Sequence, residues 1–270
     1  MTRGADPDAP TLAGRVAIVT GAGKGAGAVV TEHFARDGAD VALVGRDGDA
    51  LEAHASLVDE KYPDRASLAV VCDVTDESQV ASAVARVADL FGGIDILVNA
   101  AGGTGPIETP AQEYPVEEFR VILDINVIGT FLPCKYVIPH LIARGGGRIV
   151  NIAGTSGLRG YPNRSGYSSS KWAVRGLTRT LALELGSYDI TVNDVCPNVT
   201  HGSRMDRIIA EKARRSGRTA AEVYAEFVSQ TALGRFVEEE DIANTIDFLV
   251  SEGARNITGH DIPVDAGWDV

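Results

Sequence analysis

Only three of the 270 residues are cysteine, and Cys72, Cys134 and Cys196 stand far apart with no CxxC spacing. That scarcity argues against a disulfide framework or a thiolate zinc site and fits buried thiols in a reducing cytoplasm. The five histidines are scattered, so no metal site is expected. Positive charge is also short: 25 Lys and Arg stand against 37 Asp and Glu, a formal charge of −12. A surface that negative repels phosphate backbones and anionic headgroups, so neither nucleic acid nor membrane is expected as a partner. No apolar run approaches the roughly eighteen residues of a bilayer span. The opening stretch, MTRGADPDAPTLAG, lacks the apolar segment of a secretory signal and reads as a flexible lead over residues 1–12. Repeats and low-complexity linkers are missing too, so residues 13–270 are expected to form a single domain.

What is present is alternation. Short apolar runs, Arg15–Thr20, Val41–Gly45, Leu68–Cys72, Ile94–Asn99, Arg148–Ala153, Ile190–Cys196 and Asp261–Asp265, are separated by helical patterns. Most runs are apolar throughout, which indicates strands buried on both faces of a parallel sheet. Between two of them, Val80, Val84, Val87 and Phe91 form one helical stripe, with Asp76 as the expected N-cap. Gly38 stands where a helix-terminating glycine belongs. Strand and helix in alternation, joined by right-handed crossovers, predict an α/β fold: a doubly wound sheet of about seven parallel strands with helices on both faces. One connection breaks the rhythm. The stretch from Cys196 to about Glu238 is too long for an idle loop, and it is expected to fold as two short helices forming a substrate lid near 198–230.

Two stretches carry chemistry. TGAGKGAG (Thr20–Gly27) follows the first strand and opens the first helix. Its glycines allow a sharp turn and close backbone approach to a pyrophosphate lying on the helix N-terminus. The second strand ends in Gly45–Arg46, where a carboxylate would hold a ribose 2′-hydroxyl. A guanidinium there, with Lys24 nearby, favours a 2′-phosphate, hence NADP(H) over NAD(H). The competing choice is Asp47 as the carboxylate. The other stretch is SGYSSSK, in which Tyr167 and Lys171 stand four residues apart on one helix face.

The glycine spacing is TGxxxGxG, and with it stand Asp73–Val74, NAAG (Asn99–Gly102), NVIG from Asn126, YSSSK and the terminal ITGHDIPVDAG. In this order, from about Arg15 to Trp268, they resemble the short-chain dehydrogenase/reductase family with its Rossmann-type sheet. The resemblance implies a nicotinamide-dependent oxidoreductase interconverting a secondary alcohol and a ketone. It implies cofactor contacts from Gly21, Gly23, Lys24, Gly25, Ala26 and Gly27, from Arg46, Asp73 and Val74, and from Asn99, Ala100, Ala101 and Gly102. Pro197, Val199 and Thr200 complete that set with Tyr167 and Lys171. Tyr167 would exchange the proton, Lys171 would lower its pKa and grip the nicotinamide ribose, and Asn126 would support a proton relay. A homotetramer is implied, with Val121, Ile125, Phe131, Trp172 and Leu177 supplying apolar interface.

Two departures stand out. Gly154 occupies the position of the family's substrate-polarising serine, thirteen residues before the tyrosine, and Gly202 that of a carboxamide-binding threonine. A strand continuing with period two would put Ser156 on the side of Gly154 and make it the substitute. A protein that binds cofactor with little turnover is one alternative. A reductase of acyl groups on a carrier protein is another, but Gly145 and Tyr188 replace the arginines that meet that acidic partner, and the net charge opposes it.

Overall fold

The computed structural model describes residues 11–268 and 270. The flexible lead expected at residues 1–12 falls mostly outside the described residues. Leu12 does not belong to it: its side chain is buried in the core and its amide donates to the Asp37 carbonyl.

Seven parallel strands form one sheet in the order β3-β2-β1-β4-β5-β6-β7. They are β1 (Val16–Thr20), β2 (Asp40–Gly45), β3 (Ser67–Val71), β4 (Ile96–Asn99), β5 (Gly147–Ile152), β6 (Ile190–Pro197) and β7 (Asp261–Val264). β1 and β4 are buried at every residue, as runs of Val, Ile and Leu covered on both faces must be. The fourth strand begins two residues later than its apolar run. Asp95 precedes it with a buried carboxylate that accepts from the Val16 amide and pairs with Arg15 and Arg144.

Helices cover both faces. On one lie α1 (Ala26–Arg36), α2 (Gly48–Lys61) and α9 (Glu239–Val250), packed through Phe34, Leu51, Ile246 and Leu249. On the other lie α3 (Glu77–Phe91), α5 (Gly129–Arg144) and α6 (Ser165–Leu185), packed through Val84, Val87, Leu141 and Leu181. Asp76 does cap α3, accepting from the Ser78 and Gln79 amides. α4 (Val116–Leu123) runs into α5 through one π-helical turn, Asp124–Ile128.

The run Val116–Arg144 is long and apolar enough to cross a bilayer by length and composition, with a mean hydropathy of 1.6 over its best window. This departs from the expectation that no run comes close. Here the apolar residues serve packing: Ile122, Leu132, Val137 and Leu141 are buried within the fold.

The strand order reverses between β1 and β4, so connections leave their carboxyl ends in opposite directions and open a crevice there. α7 (Ser203–Ser216) and α8 (Ala220–Ser229) extend over that end. They carry a small core of their own, in which Met205, Ile209, Val223, Phe236 and Trp268 pack together.

Candidate active site

A cavity of about 950 Å³ runs along the carboxyl ends of the strands. At one end the glycine loop turns out of β1 with Gly21 at φ +70° and Gly25 at φ +64°, both in the left-handed region. Close approach also demands glycine here, since a Cβ on Gly27 would lie 2.5 Å from the Gly21 carbonyl oxygen. No side chain caps α1, so its leading amides are left for another acceptor. Gly21, Gly23, Lys24, Gly25, Ala26 and Gly27 all line the cavity. A glycine-walled cradle that a side chain would fill, beside an uncapped helix start, fits a dinucleotide pyrophosphate.

Beside this loop stand Arg46, Asp73 and Val74. The Asp73 carboxylate accepts from the amide and hydroxyl of Thr75, and these bonds, with Arg46 nearby, hold it below the usual carboxylate range. Arg46 lies 3.9 Å from Asp73 and is largely exposed. Asp47 caps α2, with Oδ1 accepting from the Ala50 amide at 3.2 Å, although it borders the cavity as well.

The NAAG turn divides. Ala100, Ala101 and Gly102 line the cavity, and the Ala101 amide donates to Thr20 Oγ1. Asn99 is a correction: it points into the fold, where Nδ2 donates to Asn151 Oδ1 at 2.9 Å and contacts Cys134 Sγ. It ties β4 to β5 and does not border the cavity.

At the other end α6 delivers Tyr167 and Lys171 to the cavity wall. Lys171 Nζ lies 5.8 Å from the Tyr167 ring centroid and donates to the Ile152 carbonyl at 2.6 Å. Burial pushes the Tyr167 hydroxyl pKa up, but the charges of Lys171, Arg204 and Arg164 outweigh it and the net direction is down. Burial lowers the pKa of Lys171, only partly opposed by Tyr167. Asn126 sits one layer behind, in the π-helical turn. Its Oδ1 accepts from the Gly103 amide at 2.8 Å, and its Nδ2 donates to the Gly103 carbonyl and to Ser170 Oγ. The π-turn's extra residue aims this side chain inward and pins the loop after β4 to α6.

The Ser156 expectation fails in its premise. β5 ends at Ile152, and residues 155–157 form a 3-10 turn, so a period of two no longer applies. Thr155 and Ser156 both border the cavity, and the Thr155 hydroxyl is bonded to Tyr161 Oη at 3.0 Å. Gly154 itself adopts φ +86°, ψ 159°, a conformation reserved for glycine. A Cβ there would lie 3.7 Å from Tyr167 Oη, so the position does face the tyrosine hydroxyl.

Pro197, Val199 and Thr200 also line the cavity, as does Ser203 at the start of α7. A Cβ on Gly202 would come within 3.0 Å of Glu239 Oε1. Sequence reasoning missed Ser170, Arg204, Glu239 and Trp268. Ser170 was legible inside YSSSK, three residues after the tyrosine. Arg204 follows no motif, and it reaches the site because α7 folds back so that its guanidinium donates to the Gly102 carbonyl at 3.1 Å. Arg207 on the same helix donates to Thr104 Oγ1, and Arg215 to the Glu108 carbonyl. Among the described residues no cluster of His, Cys, Asp and Glu could hold a metal ion.

A family model described as enoyl-(acyl carrier protein) reductase matches residues 21–269. Levodione reductase of Leifsonia aquatica is 34% identical, over 94% of this chain and 93% of its own. Among solved structures, NAD+-bound xylitol dehydrogenase superposes with a TM-score of 0.89 at 33% identity, covering 94% of this chain and 98% of its own. A short-chain type dehydrogenase/reductase from Mycobacterium ulcerans gives 0.87 at 30% identity, covering 96% and 90%. With these likenesses spanning nearly the whole chain, and with the glycine loop and the tyrosine–lysine helix meeting in one cavity, the protein belongs to the short-chain dehydrogenase/reductase family.

Proposed function

We propose that this protein interconverts a secondary alcohol and a ketone of a small molecule, with NADP(H) as its preferred cofactor. The observation that carries the reading is Tyr167 and Lys171 lining the same cavity as the glycine loop, with the tyrosine pKa directed downward by three cations. Held along the cavity by the glycine loop and Lys171, a nicotinamide cofactor would supply the hydride-transfer chemistry. Tyr167 takes the alcohol proton in one direction and returns it to the ketone oxygen in the other. Lys171, fixed by the Ile152 carbonyl, holds positive charge beside the phenol and offers its remaining donors to the cofactor ribose. Asn126 and Ser170 hold the Gly103 backbone against α6 and keep the pocket's shape. The helices α7 and α8 act as a lid over the substrate, clasped by Arg204, Arg207 and Arg215.

The cofactor preference rests on the end of β2, where Arg46 borders the cavity while Asp47 is engaged as the cap of α2. One charge-assisted bond to a 2′-phosphate contributes about 1.5–3 kcal/mol, roughly ten- to a hundredfold in affinity. NAD(H) is the second reading, favoured by the fact that Asp47 also borders the cavity. A cytoplasmic setting is supported by three buried, unpaired cysteines, and a homotetramer by exposed Val121, Phe131 and Trp172 on α4, α5 and α6. The charge of −12 favours a free small molecule over an acidic carrier protein.

Nicotinamide absorbance followed across a panel of alcohols and ketones tests the activity. Tyr167→Phe should abolish turnover and leave cofactor binding nearly intact, whereas Lys171→Ala should damage both. Equal loss of binding in the two variants would refute this division of roles.

A further inference from the structure

One side chain in the cavity enters the scheme above only through its charge on Tyr167. Arg164 is only 9% exposed, stands at the N-terminus of α6, and lines the cavity. Its Nη1 is buried with no hydrogen-bond partner, although the guanidinium lies over the Tyr167 ring. Burying a guanidinium without an acceptor is costly, so a fold that keeps one has something for it to bind. The charged and titratable groups whose fields reach it are Tyr167, Tyr114, Glu108 and Arg204. Glu108 is the one carboxylate among them, and it makes no ion pair with Arg164 within 4.0 Å. The Tyr114 hydroxyl is likewise buried and unpartnered. Arg204 brings a second positive charge to the same cavity, its Nη2 engaged with the Gly102 carbonyl.

The position of Arg164 relative to the chemistry is informative. Its guanidinium carbon lies 4.6 Å from the centre of the Tyr167 ring. The reacting hydroxyl is one bond beyond that ring, so the cation and the proton donor are separated by the length of a few bonds.

We infer that Arg164 binds an oxyanion of the substrate, a carboxylate or sulfonate a few bonds from the carbinol or ketone carbon, so that the substrate is a short oxo acid and its hydroxy acid. The inference rests on the alcohol–ketone reading of the site. An acid of this kind would meet the planar fork of Arg164 at one end and Tyr167 at the other, which fixes the reacting carbon in one orientation. It would also put charge in place of the hydroxyl that the family serine contributes, as the means of holding the substrate where Gly154 offers nothing.

Binding can be measured without turnover. Butyrate, ethanesulfonate and butyramide are titrated by calorimetry into the NADP+-loaded protein and into its Arg164→Gln and Arg164→Lys variants. At least one of the two anions should bind the wild type ten- to a hundredfold tighter than the amide. That advantage should vanish in Arg164→Gln and partly return in Arg164→Lys. Which anion binds tighter distinguishes carboxylate from sulfonate. If butyramide binds as well as both anions, or if the advantage survives Arg164→Gln with near-native melting, the inference is wrong. A kinetic arm separates this from failure of the reading beneath it, by comparing 3-oxobutanoate with its methyl ester. Reduction of the ester as fast as the acid overturns the anion site alone, whereas no reduction of any ketone overturns the oxidoreductase reading.

Discussion

Replacing Gly154 by alanine perturbs a single backbone position beside the proposed proton donor. The residue sits at φ +86°, ψ 159°, and an added Cβ would meet the Pro197 carbonyl at 3.5 Å and Tyr167 Oη at 3.7 Å. Those are ordinary contacts, so space is not the obstacle. Backbone conformation is: holding a non-glycine residue in this region costs about 1–3 kcal/mol. For a domain of this size each kcal/mol lowers Tm by roughly 2–4 °C, giving an expected drop of about 2–12 °C. Gly154→Ser should show the same loss of stability, since the strain comes from Cβ. Its hydroxyl, however, extends one bond from a carbon already 3.7 Å from Tyr167 Oη and can reach an oxygen bound there. A donor at a reacting oxygen is worth about a hundred- to thousandfold in rate. The serine variant should therefore exceed the alanine variant by at least tenfold in kcat at similar Tm. Differential scanning calorimetry and nicotinamide-coupled kinetics measure both. A Gly154→Ala protein melting within a degree of wild type would refute the strain, and equal kcat for the two variants would refute the placement of residue 154.

Arg46→Asp should move cofactor preference towards NAD(H) by removing the phosphate's partner and offering the ribose a carboxylate; steady-state kinetics already favouring NAD(H) in the wild type would sink the NADP(H) reading. Burial, with Asp261 alongside, pushes the Asp194 carboxyl up to about 8 even though Thr178 Oγ1 donates to it. The folded chain thus keeps a proton that the unfolded chain releases near pH 4, so stability falls by up to about 1.4 kcal/mol per unit as pH rises between those values. Asp194→Asn, which cannot ionise, should flatten the dependence of Tm on pH between 5 and 8, and an unchanged slope would contradict it. Light scattering at micromolar concentration should give four times the chain mass of 28.4 kDa, and a monomer would contradict the proposed interface.

The sequence by itself determined the sheet and the two ends of the site, because both depend on local patterns. Seven apolar runs became seven strands, since residues covered on both faces must be apolar whatever surrounds them. The glycine loop and the YSSSK turn were legible for the same reason: φ > 0 at Gly21 and Gly25, and a four-residue helical spacing, are properties of a few consecutive residues. Only the tertiary structure decided what depends on distant segments. Asn99 reads as part of a cofactor turn, but its side chain goes to Asn151 on the neighbouring strand, because a buried amide must find a partner. Ser156 lost its alternation once β5 ended at Ile152 and the chain wound into a 3-10 turn. Arg204 joins Tyr167 across 37 positions of chain through the folding back of α7, for which no spacing rule exists. The missing acceptor at Arg164 Nη1 is likewise invisible in a string of residues, since it is defined by the polar groups that fail to reach it.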